Sequence, residues 1–282
     1  MSGDRLQAIV DGIANLPTLP QVATRLMQLL SDPEASMGEI VDTISKDPAT
    51  SAKVLRLTNS AYYGVPRTVT SIRQAVALLG MRTTRNLAMG LSVVNSLGKE
   101  GERGGFNYHQ FWRHSVGAGY LCSALGKKAQ AEDTELLFLG GLLHDIGKLV
   151  IAQYDPETAK EVLLRVKKES MPMHEAESGV MGATHADVGV WLCERWQLPE
   201  KLVDMVRLHH DEEAMKSNVP VAICELTNYI CGVKGASSTG SDAPRLNKAV
   251  WDTLDMDAGS LNNLLGAVDA ELEASEAFLS QV

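Results

Sequence analysis

The sequence predicts an all-α fold, and three observations carry that prediction. Apolar residues recur at intervals of three and four, as at Val22, Leu26, Leu29 and Leu30 and again at Val54, Leu55 and Leu57, which is the period of a helix with one buried face. Helix-start signals are frequent along the chain. Alternation of apolar and polar residues between turns, the mark of half-buried strands, is absent.

The elements follow in order. Thr18-x-x-Gln21 and Ser36-x-x-Glu39 read as capping boxes, and Asp47-Pro48 places an N-cap acceptor before a first-turn proline, so the opening segment holds several short helices. A first helical lobe is expected over residues 1–97. The glycine-rich run Gly98-Lys-Glu-Gly-Glu-Arg-Gly-Gly105 breaks it from a second helical lobe over 106–233, and a tail fills 234–282. The tail opens with Gly235-Ala-Ser-Ser-Thr-Gly-Ser-Asp-Ala-Pro244, a flexible linker by composition. Its amphipathic stretch through Leu261, Leu264, Leu265, Val268 and Leu272 is expected to dock on the body, the alternative being a segment that binds a partner.

Composition narrows the function classes. With 45% apolar and 22% charged residues the chain can bury a substantial core. Its net charge of −9, of which residues 235–282 supply −6 through eight acids against Arg245 and Lys248, argues against binding nucleic acid. Trp191 and Trp196 lack clustered basic neighbours and read as core and turn residues, not a base-stacking platform. The start has no basic segment followed by an apolar one, and the apolar run Leu136 to Leu143 is too short to span a bilayer, so the expectation is a cytoplasmic chain without a membrane partner. Cys122, Cys193, Cys224 and Cys231 form no Cys-x-x-Cys pair and read as reduced thiols.

The chemistry concentrates in the second lobe. At Leu142-Leu-His-Asp-Ile-Gly-Lys148 an apolar helix ends in His144-Asp145, where tightened backbone lets both side chains reach one ion and Gly147 can take the left-handed conformation that stops a helix. Upstream, Phe111-Trp-Arg-His114 opens a helical segment; downstream, Thr184-His-Ala-Asp187 caps a helix with His185 in its first turn, and His209-His210 closes the helix after Pro199. Imidazoles with one carboxylate suit one divalent transition metal such as iron, manganese, zinc or nickel. His109 and His174 fall outside the pattern and are expected to face solvent. Lys148 is read either as a phosphate contact or as a lysine placed against a helix-end dipole.

The order His114, His144-Asp145, His185, His209-His210 resembles the HD superfamily of metal-dependent phosphohydrolases. The first-lobe motifs Leu16-Pro-Thr-Leu-Pro20, Ile44-Ser-Lys-Asp-Pro48, Leu57-Thr-Asn-Ser-Ala-Tyr-Tyr-Gly64 and Ala75-Val-Ala-Leu-Leu-Gly-Met81 are similar to the HDOD family, the HD-related output domain of bacterial signalling proteins. The resemblance implies an HD-like helical second lobe with the first lobe packed on it. Asp47, Asn59 and Ser60, in those motifs, are expected to cap helices and to join the lobes. Catalytic relatives of the HD-GYP kind add a Glu one turn before the first His and an Asp on the last helix, where this chain has Gln110 and Asn228. The segment after His210, Asp211-Glu-Glu-Ala-Met-Lys, also has no Gly-Tyr-Pro, so cyclic-di-GMP cleavage is not expected. Neutral amides bring no charge to a dication, which favours one metal over two. Glu225 shares a helical face with Asn228 and can restore one carboxylate.

The resemblance therefore implies a signal-transduction output or regulatory module with a degenerate HD-type pocket. It would act by binding signalling proteins or a small anionic or nucleotide ligand, and not as an enzyme. The alternative is a mononuclear metal-dependent phosphohydrolase acting on a nucleotide-like phosphoester, with Lys148 or His210 as the candidate catalytic residues.

Overall fold

The computed structural model describes residues 9, 11, 18–30, 32, 34–97, 102–103, 105–131, 134–238 and 246–281. The architecture is all-α; among the described residues the strands are two residues long. The chain divides into two compact units, one of Pro17–Gly98 with Leu272–Val282, the other of Lys99–Glu271 with Met1–Leu16.

The first unit is built from α1 (Gln21–Leu30), α2 (Met37–Ser45), α3 (Pro48–Thr58), α4 (Ile72–Leu79) and α5 (Met81–Leu97). Ser36 and Glu39 form the expected capping box of α2, and Asp47 caps α3 by accepting from the Ala49 and Thr50 amides. Thr18 does not cap: α1 begins at Gln21 and the Thr24 amide donates to the Pro20 carbonyl, so Thr18 stands too early. Leu16 and Pro17 of the same motif lie outside the described residues. The long α5 packs against α1 to α4. Buried Arg85 ties α5 to α1 by donating to the Leu29 carbonyl at 3.1 Å.

The expectation that Asp47, Asn59 and Ser60 join the lobes is corrected for the two whose hydrogen bonds are seen. Asn59 clamps a loop of its own unit: its amide nitrogen donates to the Leu55 and Val69 carbonyls, and its oxygen accepts from the Val69 amide at 2.8 Å. Asp47 spends its carboxylate on the cap. The end of the chain belongs to this unit, where Arg56 donates to the Gln281 side chain at 2.9 Å.

The second unit opens with a miniature hairpin at the glycine-rich break, β1 (Glu102–Arg103) antiparallel to β2 (Phe106–Asn107), with Gly105 at φ +81°. The helices α6 (Tyr108–Lys128), α7 (Thr134–Leu143), α8 (Ile146–Tyr154), α9 (Pro156–Glu169), α10 (Met173–Met181), α11 (His185–Arg195), α12 (Glu200–Leu208), α13 (Glu212–Met215) and α14 (Val219–Val233) come next. The tail adds α15 (Lys248–Thr253) and α16 (Ala258–Ala267), and then α17 (Asp269–Leu279), which from Leu272 onward belongs to the first unit. Leu261, Leu264 and Val268 are buried, so the tail folds onto protein, and Val268 divides its apolar stretch into two helices. The apolar stretch Leu136–Tyr154 has the length of a membrane span, but it is broken at His144-Asp145 and is 94% buried within the fold.

Two close helix crossings bring the histidine-bearing helices of this unit together. Where α6 meets α7, a Cβ on Gly141 would stand 2.5 Å from the Ala118 carbonyl oxygen; where α8 meets α11, a Cβ on Gly147 would stand 1.9 Å from that of His185. Glycine is needed at both because the neighbour is backbone and cannot yield. Gly147 thus corrects its sequence reading: it lies inside α8 with ordinary helical backbone and is there for closeness, not for a left-handed stop.

Candidate metal centre

Each side chain of the histidine cluster is aimed by a helix end or a helix core. His114 sits mid-helix in α6, 1% exposed. His144 follows the last residue of α7, its amide donating to the Gly140 carbonyl at 2.8 Å. Asp145 occupies the N-cap of α8 yet makes no capping bond, because its carboxylate is turned inward. His185 is the first residue of α11, behind the predicted Thr184–Asp187 capping box. His209 caps the C-terminus of α12 and His210 comes directly after it.

The hydrogen bonds on the outer ring nitrogens decide the chemistry. Nδ1 of His114 faces the Ala236 carbonyl, that of His144 the Gly141 carbonyl and that of His209 the Val206 carbonyl, each at 2.8 Å. A carbonyl only accepts, so each Nδ1 carries the proton, and the neutral ring presents a lone pair at Nε2. His185 does likewise toward the Glu177 carboxylate at 2.6 Å, and the same oxygen takes the His185 amide, left without a partner at a helix start, at 2.8 Å.

Those Nε2 atoms converge. His114 and His144 stand 3.3 Å apart, His185 and His209 3.2 Å, and His185 and His210 3.1 Å. Asp145 lies among them, Oδ1 at 3.3, 3.5 and 3.7 Å from His185, His144 and His209, and Oδ2 at 3.3 Å from His114. Buried Oδ1 has no hydrogen-bond partner. Lone pairs facing lone pairs and an orphaned anionic oxygen are costly in a protein interior. A cation resolves both, and donors bound at ~2.1 Å in a tetrahedral shell lie ~3.4 Å from one another, which matches these separations. The residues present therefore fit a divalent metal. His114, His144 and Asp145 form one set of three donors, and His185, His209 and His210 another.

With protons in place of a cation the charges distribute unevenly. Burial opposes charge on His114, but its contacts to Asp145 and Cys231 prevail and raise it to about 10. Burial likewise opposes charge on His185, which Glu177 nevertheless raises, whereas burial lowers His144, His209 and His210. Asp145 stays ionised against burial because His144 and Lys148 favour its charge.

The remaining sequence candidates fall around this core. Lys148 is not placed against a C-terminal dipole: it lies in the first turn of α8 and donates to Asp145 Oδ2 at 2.7 Å and to Ser238 Oγ at 3.1 Å. His210 is the most open member, its side chain 20% exposed, with Nδ1 4.0 Å from Glu225 Oε2. Burial, reinforced by Asp145, pushes Glu225 up to about 8, although a hydrogen bond from Asn228 opposes this. Gln110 is half-buried near the start of α6, its amide held by the Asn107 side chain. His109 is exposed as expected. His174 is not solvent-facing: it is half-buried and stacks on His210 with ring centroids 4.3 Å apart.

Sequence reasoning missed three participants. Glu177 is fully buried beside the α9–α10 core of Val162, Val166, Met173 and Ala176, and no spacing rule links it to His185. Ala236 and Ser238 fall in the stretch read as a flexible linker; they are 1% and 2% exposed and belong to the centre. Residues 239–244 of that linker lie outside the described residues. The signal available was Gly235 after the last periodic residue of α14, the position of a helix-terminating glycine.

Known proteins share this architecture. The HDOD domain family model matches residues 16–212. An HDOD domain protein of unknown function from Geobacter sulfurreducens is 26% identical and superposes with a TM-score of 0.83 over 99% of each chain. A structure from Marinobacter aquaeolei VT8, provisionally named a signal transduction protein, is 24% identical with a TM-score of 0.81 over 99% of this chain and 65% of its own. An uncharacterised protein of Treponema pallidum (strain Nichols) is 29% identical over 209 residues, 72% of this chain and 39% of that protein. The chain thus spans about two fifths of the length of that curated relative.

Proposed function

The chain belongs to the HDOD domain family, and from that premise we propose that it is a signal-transduction module whose second unit holds a divalent transition metal and which works by binding a signalling protein or a small anionic ligand. The observation that carries the reading is the orphaned, fully buried Asp145 Oδ1 facing the imidazole lone pairs. A cation there makes the pocket a rigid reporter, since it joins residues from α6, α7, α11 and α12.

Two features favour binding over turnover. His114, His144, Asp145, His185 and His209 are at most 1% exposed, and Lys148 is already engaged by Asp145 and Ser238. Gln110 and Asn228 also bring no negative charge to a dication, so they supply no carboxylate to hold a second metal beside the first.

The second reading, a mononuclear phosphohydrolase for a nucleotide-like phosphoester, is favoured by the exposed edge of His210, which gives a phosphoryl group one approach. A bound metal would supply Lewis acidity toward that group and lower the pKa of a water. His210 would then steady the phosphate, and His114, His144 and Asp145 would hold the ion. Metal-loaded protein assayed against linear and cyclic nucleotides separates the two. Our reading expects no hydrolysis that depends on His144 and Asp145; turnover abolished by His144→Ala with Asp145→Ala would establish the hydrolase instead.

A further inference from the structure

Helix α14 ends in a cap that turns the chain into the centre. Gly235 is left-handed at φ +73°, its amide donates to the Gly232 carbonyl at 3.1 Å, and the Ala236 amide donates to the Cys231 carbonyl at 2.7 Å. These two bonds close the last turn of the helix and fix the direction in which the chain leaves it. The segment that leaves spends its polar groups inward. Arg113 donates to the Gly235 carbonyl at 3.1 Å, the Ala236 carbonyl holds Nδ1 of His114 at 2.8 Å, and Ser238 Oγ accepts from Lys148 at 3.1 Å, the lysine that also bonds Asp145 Oδ2.

That explains why Ala236 and Ser238 are buried within a stretch of linker composition. Ala236 and Ser238 are nearly inaccessible because their groups complete the surroundings of His114 and Asp145. They also lie beyond residue 212, where the family match ends, so the match itself assigns them no part.

We infer that Gly235–Ser238 is a positioning strap of the metal centre: the Ala236 carbonyl sets the tautomer and direction of His114, the Ser238 hydroxyl sets Lys148 against Asp145, and the strap is thereby coupled to metal retention. The inference rests on the proposed metal site. Outer partners of metal-bound histidine change affinity by about 10- to 100-fold when lost, and coupling between two elements is reciprocal. Metal should therefore steady the strap, and disturbing the strap should release metal.

Two measurements on the full chain test this, with Mn²⁺ and Zn²⁺ as probes. Amide hydrogen exchange of the wild-type protein, read at Ala236, should slow when metal is added. Gly235→Val keeps every centre side chain, and a Cβ at this position meets no atom within 4 Å, but a β-branched residue resists the left-handed backbone and should displace the strap. Its Kd for metal should rise about tenfold or more, and Ser238→Ala should raise it in the same direction. If wild type binds metal while Ala236 exchange is unchanged, or if both variants bind as wild type does, the strap has no such role. Wild-type protein that binds no metal would defeat the underlying metal reading instead.

Discussion

An imidazole that gives its Nδ1 proton to a carbonyl has one thing left to offer, a lone pair, and this pocket gathers several of them around one carboxylate. Glu177 strengthens the arrangement at His185 because a carboxylate partner makes the ring a better donor. Glu177→Gln keeps the shape and removes the charge; it should weaken metal binding by about tenfold, read by competition with a chelator. The pH dependence has a definite sign. Metal must displace the proton that His114 holds up to about 10 and the one that Glu177 favours on His185. Affinity is therefore lost as pH falls and regained as it rises, by about tenfold per pH unit for each proton displaced. Asp145 stays ionised and adds nothing to this slope near neutrality. A flat titration between about pH 6 and 9 would contradict the assignment.

At the scale of elements, the helix ends carry the site and the glycine crossings bring those ends together. Gly147 lets α8 lie against the first turn of α11, so Asp145 and His185 meet. Gly147→Ala pushes a methyl group into the His185 carbonyl and should cost about 3 kcal/mol in chemical denaturation. Gly140→Ala meets the flexible end of Met205 and should cost about 1 kcal/mol or less. Helix starts were legible in the sequence at the side-chain caps Ser36, Asp47 and Thr184, but the caps Ser71, Asn107, Asp155 and Asn218 were not read. Closeness was not legible: Gly147 looked like a helix stop because sequence shows its freedom and not its neighbour. Asn59 likewise looked like a link between lobes, whereas its partner is ten residues further along the chain.

For the molecule as a whole, period and caps were enough to read an all-α chain, and the order of the histidines was enough to pick the residues that meet. Glu177, Ala236 and Ser238 escaped because each joins the centre through tertiary packing, two of them from a stretch whose composition reads as linker. His174 escaped because its role is a stacking contact with His210. Everything proposed for this protein depends on the pocket being a cation site. Elemental analysis of the untagged protein beside the His144→Ala, Asp145→Ala double variant tests that most directly. About one transition metal per chain or more is expected in the wild type, with its loss in the variant; no metal after reconstitution, or equal metal in both proteins, would contradict it.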